Sequence, residues 1–170
     1  MSSNIGVMGH PIGHTKSPIF QQAGLNELGI DETFEAWDVL PEDLEAKVAT
    51  FREKGFIAAC VTLPHKQAVI PMVDELTEAA ESVGAVNWIF NRDGKLIGHN
   101  TDCNGFLRAL KEKAGFDPKG ADAVVFGAGG AARAIVYALK TAGVNRLTIA
   151  NRTVEKAQAL ANDFSEGRFK

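Results

Sequence analysis

The sequence predicts an α/β protein in two parts, with a mostly parallel sheet. Three observations predict it. Short apolar runs alternate with amphipathic helical stretches along the chain. The pattern changes near residue 121, where Ala121 to Phe126, apolar except for Asp122, reads as a strand. That run leads directly into Gly127-Ala128-Gly129-Gly130-Ala131-Ala132, a glycine-rich turn opening a helix.

Ile5-Gly6-Val7-Met8-Gly9 reads as a buried strand stopped by the turn chemistry of His10-Pro11-Ile12-Gly13. Ser17-Pro18 predicts an N-cap followed by proline at the first helical position, in a helix with Phe20, Ala23 and Leu28 that runs to Gly29. Thr33 to Val39 is the next strand. Pro41-Glu42-Asp43-Leu44 opens a helix with Leu44, Val48 and Phe51 on one face. Phe56 to Leu63 is a strand ended by Pro64, and short helices are expected near 65–71 and 74–82. Val86 to Phe90, Asn91-Arg92-Asp93-Gly94 and Lys95 to Ile97 read as strand, turn, strand. Asp102 is expected to cap a helix bearing Phe106, Leu107, Leu110 and Ala114, stopped by Gly115 and Pro118. After the glycine turn, Ala132, Ile135, Val136 and Leu139 share a helix face. Arg146 to Ala150 is a strand, and Ala157, Leu160, Ala161 and Phe164 mark the last helix. The domains are drawn at 1–101 and 121–170, joined by a helix and loop at 102–120.

With 45% hydrophobic residues and a net charge of −3, the 170-residue chain has the composition of a folded domain rather than a disordered one. No membrane span is expected, and the N-terminus lacks the blocks of a signal peptide. Cys60 and Cys103 form neither a disulfide framework nor a metal pattern, so the expected setting is a reducing cytoplasm with no metal. Charge is uneven. Residues 1–100 hold 7 Lys/Arg against 14 Asp/Glu, and residues 101–170 hold 11 against 7. The second part is the better place for an anionic ligand, and without basic runs nucleic acid is not expected.

The glycine turn fits a Rossmann-type dinucleotide site. Gly127 permits the tight turn, Gly129 lets a pyrophosphate approach the backbone, and Ala132 lets helix and strand pack closely. The alternative is a glycine-rich turn serving packing alone. The following strand ends Ala150-Asn151-Arg152-Thr153, with Lys156 one turn on and no acid at the tip. A carboxylate there would suit NAD. Arg152, aided by Asn151, Thr153 and Lys156, suits the 2′-phosphate of NADP instead. The competing reading of Arg152 and Lys156 is a solvated helix start.

Three polar clusters fall at strand ends: His14-Thr15-Lys16-Ser17-Pro18, Val61-Thr62-Leu63-Pro64-His65-Lys66 and Gly98-His99-Asn100-Thr101-Asp102. A fourth, Gly84-Ala85-Val86-Asn87, starts a strand. Their hydroxyls, amides, lysines and single carboxylate suit a small polyhydroxy acid better than a metal. Taken in order, with Gly9-His10-Pro11-Ile12, Asn100 to Phe106, Gly127 to Ala134 and Asn151-Arg152-Thr153, these segments resemble the shikimate dehydrogenase family and its quinate/shikimate relatives.

The resemblance implies reduction of 3-dehydroshikimate with NADPH, on an N-terminal α/β substrate domain followed by the start of a Rossmann-type NADP-binding domain. It implies Lys66 and Asp102 as the catalytic pair, although the pair alone would also read as a surface salt bridge. Thr15, Ser17, Thr62, Asn87, Asn100 and Thr101 fall on substrate-binding positions, where caps and turn hydrogen bonds are the competing roles. Gly127, Ala128, Gly129, Gly130, Ala131, Asn151, Arg152, Thr153 and Lys156 fall on cofactor positions. A monomer or homodimer is expected.

Three features depart from the family. Cys60 stands where asparagine is usual. Trp88 stands where threonine is usual; it either narrows the pocket or packs in the core. These two motivate a quinate-type preference as the runner-up. Only two strands and two helices follow residue 120, so the chain reads as C-terminally shortened. As a complete molecule it is expected to turn over weakly, or to serve as a non-catalytic ligand-binding module, with the adenosine-phosphate end of the site better preserved than the nicotinamide end.

Overall fold

The computed structural model describes residues 4–165. The chain divides into two compact units, Met1–Thr77 with Val86–His99 and Glu78–Ala85 with Asn100–Lys170. The segment 78–85 and the helix that begins at 102 thus group with the second unit.

The first unit is built on a six-stranded sheet of order β2 (Phe34–Asp38), β1 (Ile5–Gly9), β3 (Ala58–Val61), β5 (Trp88–Arg92), β6 (Lys95–His99), β4 (Glu75–Leu76). Strand β1 (Ile5–Gly9) is buried along its whole length, because it lies between two parallel neighbours, β2 (Phe34–Asp38) and β3 (Ala58–Val61). Strand β5 (Trp88–Arg92) runs antiparallel to β3 and turns back into β6 (Lys95–His99). Asp93 and Gly94 supply the positive φ values, 54° and 87°, that a tight hairpin demands. A two-residue strand, β4 (Glu75–Leu76), adds to β6 in parallel where a helix was expected.

Helix α1 (Ser17–Glu27) forms where predicted but buries none of its residues. Phe20 is 60% and Leu28 75% exposed. The apolar residues are spread around its circumference, and only Leu25 packs on the Ile5, Val7, Ile12 and Phe34 cluster. Helix α2 (Leu44–Thr50) follows a 3₁₀ turn and behaves as its spacing predicts, with Leu44, Val48 and Phe51 all buried. Between 65 and 72 the chain makes turns and one 3₁₀ turn rather than a helix.

The second unit contains α3 (Glu78–Val83), α4 (Asp102–Ala114), β7 (Asp122–Phe126), α5 (Gly130–Thr141), β8 (Arg146–Ala150) and α6 (Val154–Ser165). β7 and β8 pair in parallel, Val125 opposite Ile149. Helix α5 serves two cores. Ala132, Val136 and Leu139 join Val125 of the sheet and Leu160 and Phe164 of α6. Ala134 and Ala138, one turn apart, meet Val83, Ala85 and Cys103, and their small side chains allow α4 to pack close. Gly115, at φ 62°, ends α4 as a left-handed cap. Among the described residues no helix is long and apolar enough to cross a membrane.

Candidate active site

The first unit carries five of the predicted residues: Thr62 and Lys66 follow β3, Asn87 precedes β5, and Thr15 and Ser17 stand at the start of α1. The ladder carries on past β3: Thr62 N donates to Met8 O at 2.9 Å, and Val61 N donates to Asn87 O at 2.8 Å. Asn87 N donates in turn to His99 O at 2.9 Å, so buried Asn87 is held between β3 and β6. His65 N closes a turn onto Thr62 O at 3.0 Å, and Lys66 O accepts from Val86 N at 2.7 Å. The half-buried Lys66 thus leaves a backbone pinned on both sides.

Thr15 and Ser17 stand at the start of α1. Thr15 Oγ1 accepts from Ser17 N and donates to Ser17 Oγ, both at 3.2 Å. The cap is displaced by one residue from the sequence expectation: Lys16 is the N-cap, and Ser17 and Pro18 are the first helical residues. The Thr15 hydroxyl does the capping work, which leaves two neighbouring hydroxyls at one helix terminus.

His65 went unnoticed as an individual residue in the sequence. It is 1% exposed, and its Nε2–H donates to Val39 O at 2.7 Å. A carbonyl only accepts, so the proton sits on Nε2. This bond ties the Lys66 loop to the end of β2. The only available signal was a histidine flanked by proline and lysine after a buried strand.

Cys60 and Trp88, noted separately as departures, are direct partners across β3 and β5. Both are half-buried and pack on the cluster that contains Ile12 of the first loop. Trp88 therefore takes the packing role of its two expected readings.

In the second unit, Asn100 is buried with both ends of its amide engaged. Nδ2 donates to Ala85 O, and Oδ1 accepts from Asp102 N, each at 2.9 Å. It orients the start of α4. Thr101 is the N-cap and Asp102 the first helical residue, again one step from expectation. Asp102 is half-buried. Burial pushes the neighbouring Cys103 thiol above its ordinary value, and the Asp102 charge adds to that effect.

The glycine turn has the backbone its sequence demands. Gly127 sits at φ 118°, a conformation side chains rarely adopt, and its N–H donates to Ala150 O at 2.7 Å. Gly129 is the N-cap of α5, and a Cβ built there meets nothing within 4 Å. The first helical bond, Arg133 N to Gly129 O, leaves the preceding N–H groups of Gly130, Ala131 and Ala132 without intrahelical acceptors. Asn151 Nδ2 holds the turn after β8 by donating to Thr153 O at 2.8 Å. Arg152, Thr153 and Lys156 are exposed beside it. Open space, donor N–H groups and two cations at adjacent strand ends fit a phosphorylated dinucleotide.

Comparison with known proteins gives the family. The family model described as the shikimate dehydrogenase substrate binding domain matches residues 7–89, and that described as shikimate / quinate 5-dehydrogenase matches residues 109–170. The chain belongs to the shikimate dehydrogenase family. It is 46% identical over 162 residues to the shikimate dehydrogenase (NADP(+)) of Methanopyrus kandleri, covering 95% of this chain and 56% of that one. It is 49% identical over 157 residues to the same-named protein of Moorella thermoacetica, covering 92% and 53%. A solved structure of shikimate 5-dehydrogenase from Thermus thermophilus, in complex with NADP(H) and shikimate, superposes with a TM-score of 0.85 at 39% identity, covering 95% and 60%. The chain thus spans a little over half the length of the curated relatives it matches.

Proposed function

We propose that the protein is an NADP-dependent oxidoreductase acting on a CH–OH group, interconverting 3-dehydroshikimate and shikimate. What carries the reading is that relatives named shikimate dehydrogenase (NADP(+)) match 92–95% of this chain at 46–49% identity. The strand-end loops supply a compatible set of groups.

Bound NADP(H) supplies or accepts the hydride at the substrate carbon. The remaining work falls to this chain. Lys66 donates a proton to the substrate oxygen as the carbonyl is reduced and recovers it in reverse. Asp102, the second residue of the catalytic pair, holds a substrate hydroxyl. The paired Thr15 and Ser17 hydroxyls receive the substrate carboxylate, and Thr62, Asn87 and Thr101 meet its hydroxyls. Asn100 joins them in meeting the substrate hydroxyls, and its amide oxygen also anchors the Asp102 backbone. Gly127 to Ala131 receive the pyrophosphate, and Arg152 with Asn151, Thr153 and Lys156 receives the 2′-phosphate.

The same reading places the reaction in aromatic amino-acid biosynthesis, in the cytoplasm, in a monomer or homodimer acting on small molecules and not on nucleic acid. The test is titration of the chain with shikimate and with NADP(+), each against a close competitor. Binding of shikimate in preference to quinate, and of NADP(+) in preference to NAD(+), is expected. Reversed preference in either pair would overturn that half of the reading.

A further inference from the structure

Arg133 is unused by the proposed chemistry, yet the second unit is organised around it. It lies in the first turn of α5, directly after the glycine turn, and its side chain is 8% exposed. Burying a guanidinium is unfavourable unless its donors are satisfied. Here Nε donates to Val83 O at 2.9 Å, and a terminal nitrogen donates to Asp163 Oδ2 at 2.9 Å. The guanidinium carbon lies 5.7 Å from the centre of the Phe164 ring.

The backbone opposite is shaped to admit it. Gly84 ends α3 at φ 65°, and a Cβ built there would stand 2.5 Å from one guanidinium nitrogen. Glycine is required at this position both by conformation and by space. One side chain therefore joins three places: the first turn of α5, the Val83–Gly84 turn and the far end of α6. Helix α6 starts at Val154, inside the Asn151–Lys156 arm. Fixing its far end against α5 fixes the angle between the glycine turn and that arm. Packing alone would be met by leucine or methionine, with no polar partner to supply.

We propose that Arg133 is a positioning residue for the dinucleotide: it holds the glycine turn and the Asn151–Lys156 arm in the relative placement that lets both engage one ligand. The proposal rests on the dinucleotide reading above. The test titrates NADP(+) and adenosine 2′,5′-bisphosphate into the 170-residue chain and into Arg133→Met, Arg133→Lys, Asp163→Asn and Gly84→Ala, well below each melting temperature. Shikimate is titrated in parallel.

The expected result is NADP(+) binding weakened about tenfold or more in Arg133→Met, as for loss of a charge-assisted hydrogen bond, with shikimate affinity unchanged. Arg133→Lys should recover only part of the loss, because an ammonium lacks the planar fork that reaches Val83 and Asp163 together. Gly84→Ala should weaken NADP(+) in the wild-type background and add little to Arg133→Met. If Arg133→Met does not fold, Asp163→Asn decides. A fall in melting temperature with unchanged NADP(+) affinity would show a purely structural role and overturn the proposal. Wild-type chain that fails to bind NADP(+) would overturn the dinucleotide reading, and this proposal with it.

Discussion

Replacing Gly9 with alanine adds one methyl group at the carboxyl end of β1, where the loop that carries Ile12 meets the loop that carries Thr62. A Cβ there would stand 2.5 Å from Thr62 Cγ2, 2.8 Å from Leu63 O and 3.1 Å from Ile12 Cδ1. The Thr62 methyl could turn away, but the Leu63 carbonyl is backbone and also accepts from His10 N at 3.1 Å. The loop between Thr62 and Lys66 must therefore shift by several tenths of an ångström. Overpacking of this kind costs about 1–3 kcal/mol. In a chain of this size that lowers the melting temperature by roughly 2–12 °C. Moving Thr62 should also weaken shikimate binding by about tenfold. Gly13→Ala is the control, because a Cβ at Gly13 meets nothing within 4 Å, and its effect should stay within about 0.5 kcal/mol. Thermal melts and shikimate titration of both variants make the comparison. Gly9→Ala that melts and binds like Gly13→Ala would refute the claim that this contact sets the loop.

Three further outcomes are expected. Arg152→Ala should lower the preference for NADP(+) over NAD(+) by roughly 10–100-fold, the worth of about 1.5–3 kcal/mol for a hydrogen bond to a charged group; an unchanged ratio of dissociation constants would remove the arginine from the 2′-phosphate. The Arg52 hydrogen bonds, at 2.5 and 3.1 Å, and the Leu96 N–H hold the Asp74 carboxyl below its ordinary value. A carboxyl depressed in the folded state adds stability that is complete above its unfolded pKa near about 4 and is lost as pH falls through the lower folded value. Asp74→Asn should therefore flatten the acid limb of melting temperature against pH, and an unaltered limb would contradict it. Cys60→Asn and Trp88→Thr should couple by about 0.5–3 kcal/mol in a double-mutant stability cycle, because the two residues are register partners; strict additivity would refute that contact.

Much of the fold is local and therefore legible. The spacing of Leu44, Val48 and Phe51 finds the core-facing side of α2, and Ala132, Val136 and Leu139 do the same for α5. The strained φ at Gly127 follows from its place between an apolar strand and a helix. Long-range pairing is less legible. β4 is two residues long and exists through its neighbour, so no periodicity announces it. Both helix caps slip by one residue because side-chain oxygens, Thr15 Oγ1 and Asn100 Oδ1, take the first N–H from outside the expected position. Cys60 and Trp88 lie far apart in the sequence and become neighbours only through the β3–β5 register. Thr62 follows β3 and Asn100 follows β6, whereas Ser17 and Asp102 open helices. His65 and Arg133 did not emerge from the sequence, because a buried polar side chain is identified by its partners and not by its own letter.

The most direct measurement is the initial rate of shikimate oxidation with NADP(+), followed by NADPH absorbance, for the protein and for Lys66→Ala side by side. The account predicts NADP(+)-dependent turnover that falls by ~10²-fold or more in the variant while shikimate and NADP(+) still bind. A Lys66→Ala protein that keeps the starting rate would contradict it.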